Sequence, residues 1–158
     1  MTSTIDERWL QHAVDLATAN VAAGGGPFGA LVVRGDAVVA SGVNRVTRDL
    51  DPTAHAEVTA IRAACRELRT FSLAGCTLYT SCEPCPMCAT SALWARLDRV
   101  VFAANRHDAA EGGFDDRAFY DLLAAEPPSW PTAVHELRLG TAVAPFTAWR
   151  DNPLRVDY

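Results

Sequence analysis

Two short stretches of the chain carry residue types that can do chemistry together. His55-Ala56-Glu57 is followed, 27 residues after Glu57, by Pro84-Cys85-Pro86-Met87-Cys88. Cysteines at i and i+3 on one helical turn can both reach a single metal ion, and one imidazole completes a three-ligand set. Zinc prefers tetrahedral coordination by sulfur and nitrogen. Three protein ligands, His55, Cys85 and Cys88, therefore leave a fourth position for water, as a catalytic site requires. Zinc lowers the pKa of such a water toward neutrality.

Glu57 adds the second half of the chemistry. Residues two apart do not share a helix face. His55 and Glu57 converge only if the site lies off the N-terminal end of a helix starting near residues 53–55. The Cys85/Cys88 helix points its own N-terminus at the same place, and two positive helix ends favour thiolates and developing negative charge. A carboxylate beside the water, not itself a ligand, can take its proton and pass it to a ring nitrogen and a leaving amine. A purely structural metal site needs no such neighbour. Cys82 leaves an alternative open: with Cys85 and Cys88 it forms a Cys-x-x-Cys-x-x-Cys run, and as a fourth ligand it would close the site. The run stops there, because position 92, where an iron–sulfur sequence would place its next cysteine, is Ala92. Cys65 and Cys76 read as core residues.

The elements that must position these residues follow from periodicity. Leu10, Ala13, Val14, Ala17 and Val21 recur at helical spacing until Gly24-Gly25-Gly26-Pro27 ends the pattern. Residues 30–33 and 37–43 are short β-branched runs around the turn Arg34-Gly35-Asp36, which predicts a hairpin. Val58, Ile61, Cys65 and Leu68 stripe a second helix. Strands are expected at 76–81, 99–104 and 133–139, and helices at 87–96, 116–125 and from Pro145 onward. The order αββαβαβαβα predicts an α/β fold, a three-layer αβα sandwich with a mixed five-stranded sheet. Its first two strands are antiparallel, and the later ones, each reached through a helix, are parallel.

Whole-chain properties narrow the function classes. A length of 158 residues suits one domain, spanning 1–158. The net charge is −5, with 19 acidic residues against 14 arginines. That balance argues against a general nucleic-acid binder. The chain has no lysine, which removes Schiff-base and P-loop lysine chemistry. The first residues hold no apolar signal-peptide core, and the uncharged stretch 16–33 is broken by Asn20, Gly24, Gly25, Gly26 and Pro27. With five cysteines that cannot all pair, the expectation is a soluble cytoplasmic protein with reduced thiols and no membrane partner.

The sequence resembles the zinc deaminases of the cytidine-deaminase fold, and within them the bacterial guanine deaminases. The resemblance runs through Gly25-Gly26-Pro27-Phe28-Gly29-Ala30, Asp51-Pro52-Thr53-Ala54-His55-Ala56-Glu57 and Tyr79-Thr80-Ser81-Cys82-Glu83-Pro84-Cys85. It continues through Trp94-Ala95-Arg96, Gly113-Phe114-Asp115-Asp116 and Pro145-Phe146-Thr147-Ala148-Trp149-Arg150 to Tyr158. It implies one zinc ion with a catalytic water in each subunit, and hydrolytic deamination of guanine to xanthine and ammonia in purine breakdown, with attack at the purine C2. Glu57 would shuttle the protons and Asp116 would bind the purine and help move them. Asn44, Phe28, Trp94 and Phe114 would hold the base. Residues 145–158 would cap the site, with Tyr158 closing it, from a partner subunit where the homodimer is domain-swapped. Plainer readings exist for each: Asn44 at a strand end, Phe28 and Trp94 in the core, Asp116 as a helix-start carboxylate, Tyr158 as a terminus. Guanosine, cytosine and ammeline stand as alternative substrates, and an adenosine of tRNA is disfavoured by the acidic charge. Ala89-Thr90-Ser91-Ala92 and Asn105-Arg106-His107 depart from the family's usual pattern.

Overall fold

In the computed structural model, residues 4–126 and 129–158 are described. Helix α1 (Ile5–Ala22) starts at Thr4, whose hydroxyl accepts from the Glu7 amide while Glu7 accepts from the Thr4 amide. This reciprocal capping satisfies two donors that a helix start otherwise leaves unpaired. A hairpin follows, β1 (Gly29–Arg34) and β2 (Ala37–Val43), turning at Gly35 with φ +58°. Next come a single turn α2 (Val46–Asp49), then α3 (Ala56–Leu68), β3 (Thr77–Cys82), α4 (Pro86–Trp94) and β4 (Arg99–Ala104). Helices α5 (Arg106–Glu111), α6 (Asp116–Ala124) and α7 (Ala144–Asp151) complete the described elements.

Strand order is β2-β1-β3-β4, with β1 antiparallel to both β2 and β3, and β3 parallel to β4. Side chains alternate across the sheet with period two. Ala30, Val32 and Leu78 therefore face α3 and α4, packing with Ala56, Ala60, Ile61, Ala64 and Ala92. Leu31, Val33 and Tyr79 face α1, packing with Trp9, Leu10 and Leu16. The three layers expected from the sequence are thus formed. Glycines set how closely the helices approach. A Cβ on Gly42 would lie 2.4 Å from the Ala56 carbonyl oxygen and 2.5 Å from the Ala60 nitrogen. A Cβ on Gly29 would lie 2.5 Å from the Ala13 carbonyl oxygen. Backbone meets backbone at both crossings.

The fifth strand is a correction. Residues 131–139 form no strand, and every residue from 133 to 139 is exposed. A β-rich sequence becomes a strand only when a neighbour supplies hydrogen bonds and a face to pack on. The chain divides into two compact units, Met1–Tyr120 and Asp121–Tyr158. The second holds α7, with Pro145 in its first turn, and Tyr158 sits edge-to-face on Trp149 at 6.1 Å. No described helix is long and apolar enough to cross a membrane.

Candidate active site

Two helix starts converge in the first unit. His55 is the N-cap of α3 and Cys85 the N-cap of α4, both with extended backbone (ψ 157° and 168°), and neither side chain caps its own helix. Pro86 opens α4, where its missing N–H costs nothing. The imidazole Nδ1 of His55 lies 3.5 Å from Cys85 Sγ and 3.5 Å from Cys88 Sγ. The three ligand atoms all fall within 4.8 Å of one another. Metal–ligand bonds of about 2.3 Å to sulfur and about 2.0 Å to nitrogen put neighbouring tetrahedral ligands about 3.6 Å apart. The trio therefore fits zinc, and its soft sulfur donors suit that metal. Cys82 is turned away: its thiol reaches the Asn105 carbonyl at 3.7 Å, and burial pushes its pKa up to about 12. Among the described residues, the group able to hold a metal is His55, Cys85 and Cys88.

The neighbouring Cys88 and the His55 imidazole draw the Cys85 thiol below its ordinary range, while the Cys88 thiol, which donates to Glu57 Oε2, is pushed up. The Cys85 sulfur in turn raises the imidazole of His55. Glu57 is only 4% exposed, and the Cys88 sulfur lies 3.5 Å from its Oε2. Burial lifts its carboxyl above the ordinary glutamate range, against the pull of its own backbone N–H and of His55. A buried carboxylate beside a three-ligand metal site is placed to exchange protons there.

A cavity of about 530 Å³ opens onto this centre, lined by His55, Glu57 and Cys85 together with Phe28, Asn44, Glu83, Phe114, Asp116 and the Gly24–Pro27 loop. Phe28 and Phe114 meet edge-to-face at 4.8 Å. Asn44 is buried, and its Oδ1 accepts from the Val46 amide at 3.2 Å. Asp116 opens α6, half-buried, with its carboxyl raised chiefly by desolvation. Phe28, Asn44, Phe114 and Asp116 are thus brought together with the metal trio, as the sequence suggested. Trp94 is not. It ends α4, nine residues long, whereas the metal ligands begin that helix. Its ring is 64% exposed, with the Arg96 guanidinium 5.9 Å from it, and it does not line the cavity. Tyr158 belongs to the second unit, 74% exposed beside Trp149.

Sequence reasoning missed the brace behind the cysteine loop. Glu83 accepts from the Arg106 side chain at 2.6 and 3.1 Å and from the Arg106 backbone amide at 2.8 Å. The same guanidinium stacks 3.6 Å above the Tyr120 ring, whose hydroxyl donates to the Pro84 carbonyl at 2.6 Å. Loop 83–85, the start of α5 and helix α6 are tied together beside the cavity that Cys85 and Asp116 both line. Glu83 stood inside the quoted motif, but its partner 23 residues away had no local signal.

Comparison with known proteins now places the chain. Residues 3–104 match the family described as cytidine and deoxycytidylate deaminase zinc-binding region. The chain belongs to that family. Within it, guanine deaminase of Bacillus subtilis (strain 168) is 47% identical over 153 residues, covering 96% of this chain and 98% of its own. The X-ray structure of guanine deaminase from Bacillus subtilis superposes with a TM-score of 0.93 over the same shares of the two chains. A crystal structure in complex with 8-azaguanine superposes with a TM-score of 0.67 at 37% identity, covering 72% of this chain and 65% of that one. The tRNA-specific adenosine deaminase of Aquifex aeolicus is 44% identical over 78 residues, 49% of this chain and 52% of its own.

Proposed function

We propose that the protein is a zinc-dependent guanine deaminase, which hydrolyses guanine to xanthine and ammonia. The observation that carries this reading is the 47% identity to the Bacillus subtilis enzyme across 96% of the chain, C-terminal segment included. The tRNA-specific adenosine deaminases match at lower identity over long spans or over shorter ones: 34% over 77% of the chain for that of Buchnera aphidicola, 44% over 49% for that of Aquifex aeolicus.

His55, Cys85 and Cys88 would hold one zinc ion per subunit, with Cys82 outside the set. The chemistry zinc supplies there is activation of water as a nucleophile near neutral pH. Glu57 would take one proton of the water and deliver it to the ring nitrogen beside C2, then carry the second, released from the oxygen now bonded to C2, to the amine, which leaves as ammonia. Its burial supports that role, since a raised pKa makes the carboxylate a stronger base toward the water proton and brings it nearer the working pH of a proton carrier. Phe28 and Phe114 wall the planar base, Asn44 offers its amide nitrogen to the ring edge, and Asp116 binds the polar edge and assists proton movement. Trp94 and Tyr158 complete the pocket in a homodimer, residues 145–158 crossing from a partner subunit as its cap. Two features support this. Strand β4 is an edge strand whose Val100 and Phe102 are 38% and 41% exposed, although parallel strands are ordinarily covered. Residues 133–139 read as a strand yet have no ladder within this chain. Five unpaired cysteines suit a reducing cytoplasm.

The test is a substrate panel. Zinc-loaded protein is incubated with guanine, guanosine, cytosine, adenine and ammeline, and ammonia is measured. Guanine should be turned over fastest. Rapid release from guanosine with guanine inert would reject the free base as substrate.

A further inference from the structure

Asn20 lies in the last turn of α1 and outside the cavity, yet it is only 5% exposed. Its amide nitrogen donates to two backbone carbonyls at once, Gly26 at 2.8 Å and Asn44 at 2.9 Å. Both neighbours are acceptors, so the atom facing them must be the nitrogen, and both of its hydrogens are spent. Gly26 and Asn44 both line the cavity. The circuit closes through Phe28, whose amide donates to the Gly26 carbonyl at 2.9 Å and whose carbonyl accepts from the Asn44 amide at 3.1 Å. The loop is built over Asn20: a Cβ on Gly25 would lie 2.4 Å from its Nδ2. A Cβ on Gly26 would lie 2.9 Å from the Asn44 Cγ. The Asn44 side-chain oxygen is engaged by the Val46 amide, so its nitrogen is what it can present to a ligand.

We propose that Asn20 is a positioning residue for substrate specificity: its buried amide clamps the glycine loop to the Asn44 backbone and so sets where the Asn44 side chain and the Phe28 ring meet the base. The inference rests on the reading of Asn44 and Phe28 as base-binding residues. Asn20 touches neither the metal trio nor Glu57 in the hydrogen-bond network, so its loss acts on base recognition rather than on proton transfer.

The experiment is a double-mutant cycle on zinc-loaded enzyme. Wild type, Asn20→Ala, Asn44→Ala and the double variant are compared for kcat and KM with guanine, with zinc content and melting temperature measured on the same samples. Asn20→Ala should raise KM about tenfold while kcat stays within about threefold. The double variant should lose clearly less than the product of the two single losses, because Asn20 acts in part through the Asn44 contact. Gly25→Ala, which drives a methyl into the Asn20 amide, should reproduce the KM shift, and Asn20→Ser serves where the alanine variant does not fold. An unchanged KM in folded variants, multiplying effects in the cycle, or a loss confined to kcat overturns the proposal. So does failure of all Asn20 and Gly25 variants to fold, which would make Asn20 a residue of the fold alone. Should wild type prefer another base of the panel, the guanine reading fails by itself, and the cycle is scored on that base. With no base turned over, both fall.

Discussion

A proton carrier and a ligand fail in different ways, and the difference is measurable. Glu57→Gln keeps the size and hydrogen-bonding reach of the side chain but cannot take a proton. It should retain zinc and lose about 10²–10⁴-fold in kcat. Equal zinc content with full activity would remove Glu57 from the mechanism. Cys85→Ser replaces a thiolate with a poor zinc ligand, so here the metal content itself should fall, together with activity, when both are measured after dialysis. His55, Glu57, Cys85 and Cys88 were legible in the sequence because their chemistry is local: each pair lies within one helical turn, and spacing alone fixes where helix starts can aim them. Asn20 and Glu83 were not legible. Their partners lie 24 and 23 residues away, and an asparagine or glutamate has many unremarkable uses. Trp94, picked by resemblance, is 64% exposed in the single chain and does not line its cavity, so its place in the pocket rests on the proposed homodimer.

The metal ligands are only as well placed as the helices that present them. Gly42 lets α3 rest its backbone on β2 at Ala56, between His55 and Glu57 in the chain. Gly42→Ala should push the start of α3 outward. Overpacking of this kind costs about 1–3 kcal/mol, readable by denaturant titration, and zinc affinity should weaken alongside. The brace on loop 83–85 makes a pH-dependent contribution of known sign. Hydrogen bonds from Arg106 hold the Glu83 carboxyl below its ordinary range. A depressed folded-state pKa adds stability above the unfolded carboxylate pKa of about 4.3, and that stability is lost as pH falls through the lower folded value. The melting temperature of wild type should therefore exceed that of Glu83→Gln near neutrality, with the gap closing in strong acid. The first four strands and helices α1, α3, α4, α6 and α7 could be read in advance, since alternation and helical stripes report which face is buried, whereas the short α2 and α5 carry no such stripe. The fifth strand could not: a run such as Ala133-Val134-His135-Glu136-Leu137 has strand character, but pairing is decided by what lies beside it.

At the scale of the whole molecule, the proposed homodimer divides its site between copies. The first unit carries the metal trio, Glu57 and the aromatic walls, and the second carries Tyr158. Deleting residues 145–158 should slow guanine turnover while leaving zinc bound. Mixing that truncated chain with full-length Glu57→Gln should restore activity, since each lacks what the other supplies. No recovery in mixed dimers, confirmed as such by mass, would place the cap in the same chain as its site. The acidic net charge was informative here from the start, because it favoured a small base over a folded RNA.

The unused caps of α3 and α4 carry one more consequence. A helix start deprived of its cap is weaker by about 0.5–2 kcal/mol, and here two such starts, at His55 and Cys85, spend their side chains elsewhere. A metal ion drawing these side chains together fastens both starts at once, so loading and folding are one linked equilibrium. Zinc at a hundred times its dissociation constant would add about 2.7 kcal/mol to unfolding. Stripping it should let the amides of 56–58 and 87–89 exchange first, and the melting curve then becomes a gauge of how much of a preparation is charged with metal.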